Sequence, residues 1–325
     1  MFRSTRATAL STALAAALLL AACGSDASSS GATGSTAAPA TTIGVVTIPA
    51  TIVDGPATTE ALMTDAPSKI VSLSPSSTEI LFAIGAGDQV IAVDDQSNYP
   101  AEAEAKMTDL SGFTPNVEAI AAYEPDLVVH DGSTDLGSQL DALHIANFVG
   151  AAPTTFDDIY TQIEQLGVAT GHVAEAAELV AQMQTDIAAS VAAVPTLDKP
   201  PSFYHELDPT FFSVTSNTFI GQVYGLFGLR NIADTAEGGT DYPQLSAEFI
   251  ISQNPDLVFL ADGKCCGESV ESVSARAGWN AIGAVSTGNV VLIDDDVASR
   301  WGPRVVDLVA TIGAAVSQVA TMSAG

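Results

Sequence analysis

The segment Asn116-Val117-Glu118-Ala119-Ile120, running on to Pro125-Asp126-Leu127-Val128-Val129, occurs twice. At a constant offset of 130 positions the chain reads Ser246-Ala247-Glu248-Phe249-Ile250 and then Pro255-Asp256-Leu257-Val258-Phe259, without a gap. A match at so long an offset predicts two similar lobes rather than a solenoid of short repeats. Both copies follow the same local logic. Asn116 and Ser246 suit an N-cap, since their side-chain oxygens can accept from unpaired N–H groups of a first helical turn. Glu118 and Glu248 fall in that turn, where the helix dipole favours negative charge. Pro125 and Pro255 end the helix, because proline disfavours helical backbone in the residue before it. Leu127-Val128-Val129 and Leu257-Val258-Phe259 are apolar on both faces, as buried parallel strands are. Helix into buried strand, twice, predicts an α/β fold of two lobes, each a mostly parallel sheet flanked by helices.

Between the lobes, His172 to Val194 reads as one long helix, about 34 Å at about 1.5 Å per residue, closed by Pro195 and Pro200-Pro201. It predicts a single spine helix. The boundaries that follow are an N-terminal lobe over 68–171, a connecting helix over 172–194 and a C-terminal lobe over 195–325. At the start of the first lobe, Ile70-Val71-Ser72-Leu73 reads as a strand, and Ser76-Ser77-Thr78-Glu79 fits a capping box. Ser74-Pro75 turns the chain between them.

The first 22 residues read as a targeting signal. Arg3 and Arg6 precede an apolar run, and Leu20-Ala21-Ala22-Cys23 follows. That pattern resembles the bacterial lipobox, which implies cleavage before Cys23 and a lipid on its sulfur. Residues 23–67 are rich in Ser, Thr, Ala, Gly and Pro, and read as a flexible tether from the lipid to the fold.

The net charge of −28 opposes nucleic-acid binding, which needs basic contacts to phosphate. It suits solubility outside the cell and a basic docking partner, and plain solubility explains it equally well. The remaining cysteines, Cys265 and Cys266, are adjacent, and lack the spacing of a zinc site. Outside the cell they can form a strained vicinal disulfide, stay as thiols, or bridge to a second molecule.

Catalytic patterns are absent from the sequence: no G-x-S-x-G elbow, no P-loop and no H-E-x-x-H. The four histidines, His130, His144, His172 and His205, show no helical metal spacing. His130 and His205 fall at strand ends, where open α/β sheets place ligands. So do several aromatic and charged residues, among them Tyr99, Phe113, Tyr242, Arg300 and Trp301. Aromatic walls with a few polar anchors suit a large ligand in a cleft.

From Lys69 to the C-terminus the chain resembles the substrate-binding proteins of bacterial importers for cobalamin, ferric siderophores and haem. The resemblance rests on Lys69-Ile70-Val71-Ser72-Leu73-Ser74-Pro75-Ser76-Ser77-Thr78-Glu79, Ser97-Asn98-Tyr99-Pro100, Tyr242-Pro243-Gln244-Leu245-Ser246 and the duplicated segment. It implies a receptor, not an enzyme, that holds its ligand between two lobes and hands it to an ATP-driven importer. The implied ligand is a ferric siderophore, a cobalamin or haem, with no cofactor and no resident metal. The implied partner is a permease dimer whose basic residues meet Glu118 and Glu248. The implied ligand contacts are Phe113, Tyr242, Asp296 and Arg300, and Tyr99 and Trp301 join them as aromatic residues on the same set of loops. The implied location is the outer face of the cytoplasmic membrane or the periplasm, as a lipid-anchored monomer. Gln96 and Asp131 depart from the aromatic residues of the cobalamin-type branch. Two other readings compete: a metal-ion receptor using His130 and His205, and a surface hydrolase.

Overall fold

The structure, a computed structural model, describes residues 66–197 and 199–323. The signal, Cys23 and the tether up to residue 65 lie outside the described residues. Two four-stranded sheets form the frame. The first consists of β1 (Ile70–Ser72), β2 (Val90–Val93), β3 (Leu127–His130) and β4 (Asn147–Val149), in the order β2-β1-β3-β4. The second consists of β5 (Ser202–Glu206), β6 (Arg230–Asn231), β7 (Leu257–Leu260) and β8 (Val290–Leu292), in the order β6-β5-β7-β8. Every strand pair within these sheets is parallel. The two lobes therefore share one topology, as the duplicated segment predicts.

The helices that matter below are α1 (Pro75–Ala83), α2 (Val117–Ala121), α3 (Phe156–Thr170), α4 (Val173–Ala192), α5 (Phe219–Gly225), α6 (Ala247–Gln253), α7 (Gly263–Cys266), α8 (Asp295–Ser299) and α9 (Val305–Ser323). The duplicated segment folds as read. Asn116 caps α2 by accepting from the N–H groups of Glu118 and Ala119, and Ser246 caps α6 by accepting from that of Phe249. The strands that follow, β3 and β7, are buried along their whole length.

The spine is α4, 20 residues long, or about 30 Å at about 1.5 Å per residue. It lies between α3 of the first lobe and α9 at the end of the second. Gly167 of α3 allows the closest approach, since a Cβ there would lie 2.5 Å from the Cβ of Ala176. Ile163 and Leu166 of α3, Val180 and Met183 of α4, and Leu308 and Ile312 of α9 join one apolar cluster. Val129 of the first sheet and Phe259 of the second belong to the same cluster. The lobes thus share a continuous core on the spine side. Separating them there would expose apolar surface at about 25 cal/mol per Å².

The capping box expected at Ser76 to Glu79 is not formed. Ser74 caps α1 instead, accepting from the Ser77 N–H, and Pro75 takes the first helical position. Pro75 needs no N–H partner there, so the helix starts one residue before the expected cap. Glu79 is released from capping and lies 2% exposed inside the molecule.

Candidate functional site

Open parallel sheets present ligands outside the C-terminal ends of their strands, where strand order reverses. In the first lobe that point lies beside β1. The loop carrying Phe113 crosses it: a Cβ on Gly112 would lie 2.4 Å from the Leu73 carbonyl oxygen, so only glycine permits the crossing. Phe113 stands 75% exposed beyond it. In the second lobe the loop carrying Tyr242 runs past the end of β5, with the Ser213 N–H donating to the Pro243 carbonyl. Tyr242 is 51% exposed. Two aromatic side chains are thus presented at matching ends of the two sheets.

Asp296, Arg300 and Trp301 are each engaged in contacts within the protein. Arg300 reaches from the second lobe into the first. Its guanidinium donates to Glu79 Oε1 at 3.1 Å, to Asn98 Oδ1 at 2.8 Å and to the Gln96 carbonyl at 2.9 Å. Within its own lobe it donates to Asp296 Oδ1 at 2.8 Å. Asp296 in turn accepts from Asn98 Nδ2 at 3.2 Å. Arg304 approaches Glu79 from the other side, with Nε to Oε2 at 2.9 Å and Nη2 to Oε1 at 2.5 Å. One buried carboxylate therefore holds two arginines across the lobe boundary. Trp301 packs against the shared core, its backbone N–H donating to Ser76 Oγ and its indole N–H buried without a partner. The sequence could not show this clasp, because its members are separated by 221 and 225 positions.

The run Asp294-Asp295-Asp296, three consecutive acids after a strand, is built into the same region. Asp294 caps α8, accepting from the N–H groups of Asp296 and Val297. Asp295 accepts from the N–H groups of Lys264 and Cys265. Lys264 Nζ bridges Asp294 and Asp296, at 2.7 and 2.8 Å. Hydrogen bonds and charge from Lys264 outweigh burial and hold the Asp294 carboxyl below its usual range; for Asp296, Arg300 adds to them. These bonds fix α7, in which Cys265 and Cys266 form an exposed vicinal disulfide.

A cavity of about 720 Å³ adjoins the clasp, lined by Glu79, Phe82, Tyr99, Pro100, Lys106 and Arg304 among others. Arg304 stacks over the Tyr99 ring at 4.2 Å. Of the six expected ligand contacts, only Tyr99 lines this cavity.

The two histidines of the metal reading are both enclosed. His205 lies within the second lobe's interior, its Nδ1 2.7 Å from the Tyr224 hydroxyl, and burial lowers its pKa to about 4. His130 is 4% exposed, with its ring nitrogens 3.3 Å from Asn147 Oδ1 and 3.2 Å from the Gly132 nitrogen. Among the described residues no group of three or more His, Cys, Asp or Glu could hold a metal ion. The two histidines are committed to packing in separate sheets, which overturns the metal reading.

Glu118 and Glu248 are exposed, each in the first turn of its capped helix. Near them, Asp126 and Asp256 have a shared role that sequence reading missed. Asp126 Oδ2 accepts from the Ser68 N–H and hydroxyl and from the Lys69 N–H, at 2.8 to 3.0 Å. Asp256 Oδ2 accepts from the Ser202 N–H and hydroxyl, both at 2.8 Å. Each aspartate thus pins the start of the neighbouring strand. The signal was present as the repeated Pro-Asp, with a serine ahead of β1 and at the start of β5.

The family model described as "Periplasmic binding protein" matches residues 70–297. A Bacillus subtilis protein named as an ABC transporter substrate-binding lipoprotein is 31% identical over 252 residues, covering 74% of this chain and 77% of that one. A cobalamin-binding protein of Halobacterium salinarum is 32% identical over 252 residues, covering 74% and 67%. Among solved structures, the periplasmic vitamin B12-binding protein of Vibrio cholerae superposes with a TM-score of 0.63 at 24% identity, over 78% of this chain and 98% of that one. A periplasmic haem-binding protein from Roseiflexus gives 0.70 at 24% identity, over 78% and 99%.

Proposed function

Because the chain belongs to the periplasmic binding protein family, we propose that it is the lipid-anchored receptor of an importer for a large metal chelate. The chelate is of the cobalamin or ferric-siderophore class, held between the lobes and delivered to a permease dimer. The observation that carries this reading is the pair Glu118 and Glu248. They occupy the same turn of equivalent helices and both stay exposed. A carboxylate there satisfies the helix dipole alone, but its duplication on two lobes suits a two-fold partner with basic residues. The names of the relatives support the same assignment: an importer's substrate-binding lipoprotein and a cobalamin-binding protein. Phe113 and Tyr242, at matching sheet ends, suit the walls of a cleft. Cys23 is the lipid attachment point. The protein breaks no bond in its ligand, and no cofactor takes part.

The test separates capture from delivery. Replacing Glu118 and Glu248 together by Ala leaves chelate affinity within about twofold by titration calorimetry, and lowers uptake by cells more than tenfold. Undiminished uptake by the double variant removes the docking role.

A further inference from the structure

We propose that the cleft selects against negatively charged chelates, and that Glu79 sets this selectivity by neutralising Arg300 and Arg304 between the lobes. This rests on the receptor reading above and names the charge class of its ligand.

Three cations stand where the lobes meet: Lys264, Arg300 and Arg304. Each is already ion-paired to a carboxylate, Lys264 to Asp294 and Asp296, Arg300 to Glu79 and Asp296, and Arg304 to Glu79. Asp295 is the fourth carboxylate in this group, and it accepts backbone N–H groups only among its described bonds. Three positive charges therefore meet four negative ones, and the group carries a formal negative charge. Arginine and lysine normally recognise carboxylate and catecholate oxygens, through bidentate or point-charge contacts. Here those donors are spent on the protein itself.

The other described cations do not replace them. Lys69 pairs with Glu124 just ahead of β1, at the far end of the first sheet. Lys199 and Arg230 lie at the corresponding far end of the second sheet, where the Arg230 N–H donates to the Pro201 carbonyl. Lys106 is bound by the carbonyls of Gly87 and Val90. Arg276 is taken by Glu206 and Glu268. With a whole-chain charge of −28, an anionic chelate meets repulsion on approach, and the three cations where the lobes meet are already paired to carboxylates. A neutral chelate such as cyanocobalamin, or a cationic one such as ferrioxamine B, meets neither obstacle.

Glu79 is the member on which the balance turns. It is 2% exposed and shared by both arginines. Removing its charge leaves two guanidinium groups with one carboxylate partner between them.

The full chain is titrated with cyanocobalamin, ferrioxamine B, haemin and ferric enterobactin. The wild type binds a neutral or cationic probe at least tenfold more tightly than either anion, about 1.4 kcal/mol. Glu79→Gln, which keeps the shape but not the charge, shifts the ratio of anion to neutral affinity at least tenfold toward the anion. Asp296→Asn, at the better-exposed edge of the group, shifts it in the same direction and serves if Glu79→Gln does not fold. A merely structural Glu79 would weaken all four probes alike and leave that ratio unchanged, which overturns the proposal. Equal affinity of the wild type for haemin or ferric enterobactin overturns it too. Saturable binding of none of the four removes the receptor reading, and this proposal with it.

Discussion

The two lobes share strand order, parallel pairing and capped helices, yet they fill the C-terminal ends of their sheets with opposite chemistry. In the first lobe a hydroxyl network lies beside one buried carboxyl, Asp94, which burial raises above its usual range. Thr78 Oγ1 bonds Ser72 Oγ at 2.8 Å and Ser97 Oγ at 2.9 Å, all three residues being buried. In the second lobe the same place holds charges. Arg276 grips both oxygens of Glu206 at 2.6 and 2.7 Å and reaches Glu268 at 3.0 Å. Its guanidinium lies over the Phe211 and Trp279 rings, at 5.3 and 4.7 Å. Asp262 completes the group, its carboxyl oxygens buried without a donor. Burial, then the neighbouring Glu206 charge, push Asp262 up to about 7. A proton on Asp262 lets it donate to Glu206, which satisfies both groups. A common topology fixes where a sheet end lies. It does not fix whether neutral or ionic groups satisfy the backbone and side chains there.

The sharpest break of that comparison is Arg276→Ala. It strands Glu206 and Glu268 without their cation, and the expected cost is about 3–5 kcal/mol, read as a fall in the denaturant midpoint. The matching change in the first lobe, Thr78→Val, removes two neutral hydrogen bonds at about 1–3 kcal/mol. Equal losses from both would show that the charges add nothing over hydroxyls.

A smaller effect comes from pH. Asp262 has a folded pKa near 7, above its unfolded value of 3.8. The folded state therefore binds the extra proton between these values, and stability falls as pH rises from about 4 to about 7. His205 works in the opposite sense. Its folded pKa near 4 lies below the unfolded 6.5, so its contribution is lost as pH falls from about 6.5 to about 4. The difference between Asp262→Asn and wild type isolates the first term. The variant gains relative stability steadily across about pH 4–7. A flat difference would mean that Asp262 ionises as an ordinary exposed aspartate does.

The finest comparison is between the two strand pins. Asp256→Ala is expected to cost about 1–2 kcal/mol and Asp126→Ala less than about 1 kcal/mol. Asp256 is half-buried, whereas Asp126 is exposed and water replaces its bonds. Thermal melts of the two variants rank them, and the reverse order would show that exposure does not govern these bonds.

The pair Asn116 to Val129 and Ser246 to Phe259 by itself determined the two lobes, their caps and their buried strands, because those features depend on neighbours within a few residues. The long helix was legible for the same reason, from its length and the prolines that follow. The exposed glutamates were legible as positions on a first turn. Only the tertiary structure decided the rest. Glu79 reads locally as a capping residue, and becomes a buried anchor because Arg300 and Arg304 return from more than two hundred residues away. The acidic run at Asp294 reads as a solvated turn, and becomes a brace because Lys264 folds against it. His130 and His205 read as ligand candidates at strand ends, and become interior groups because neighbouring strands and helices close over them. Side-chain charge is visible in a sequence. Whether that charge faces solvent, a ligand or a partner of opposite sign depends on which distant segments meet, and the long-range packing sets that.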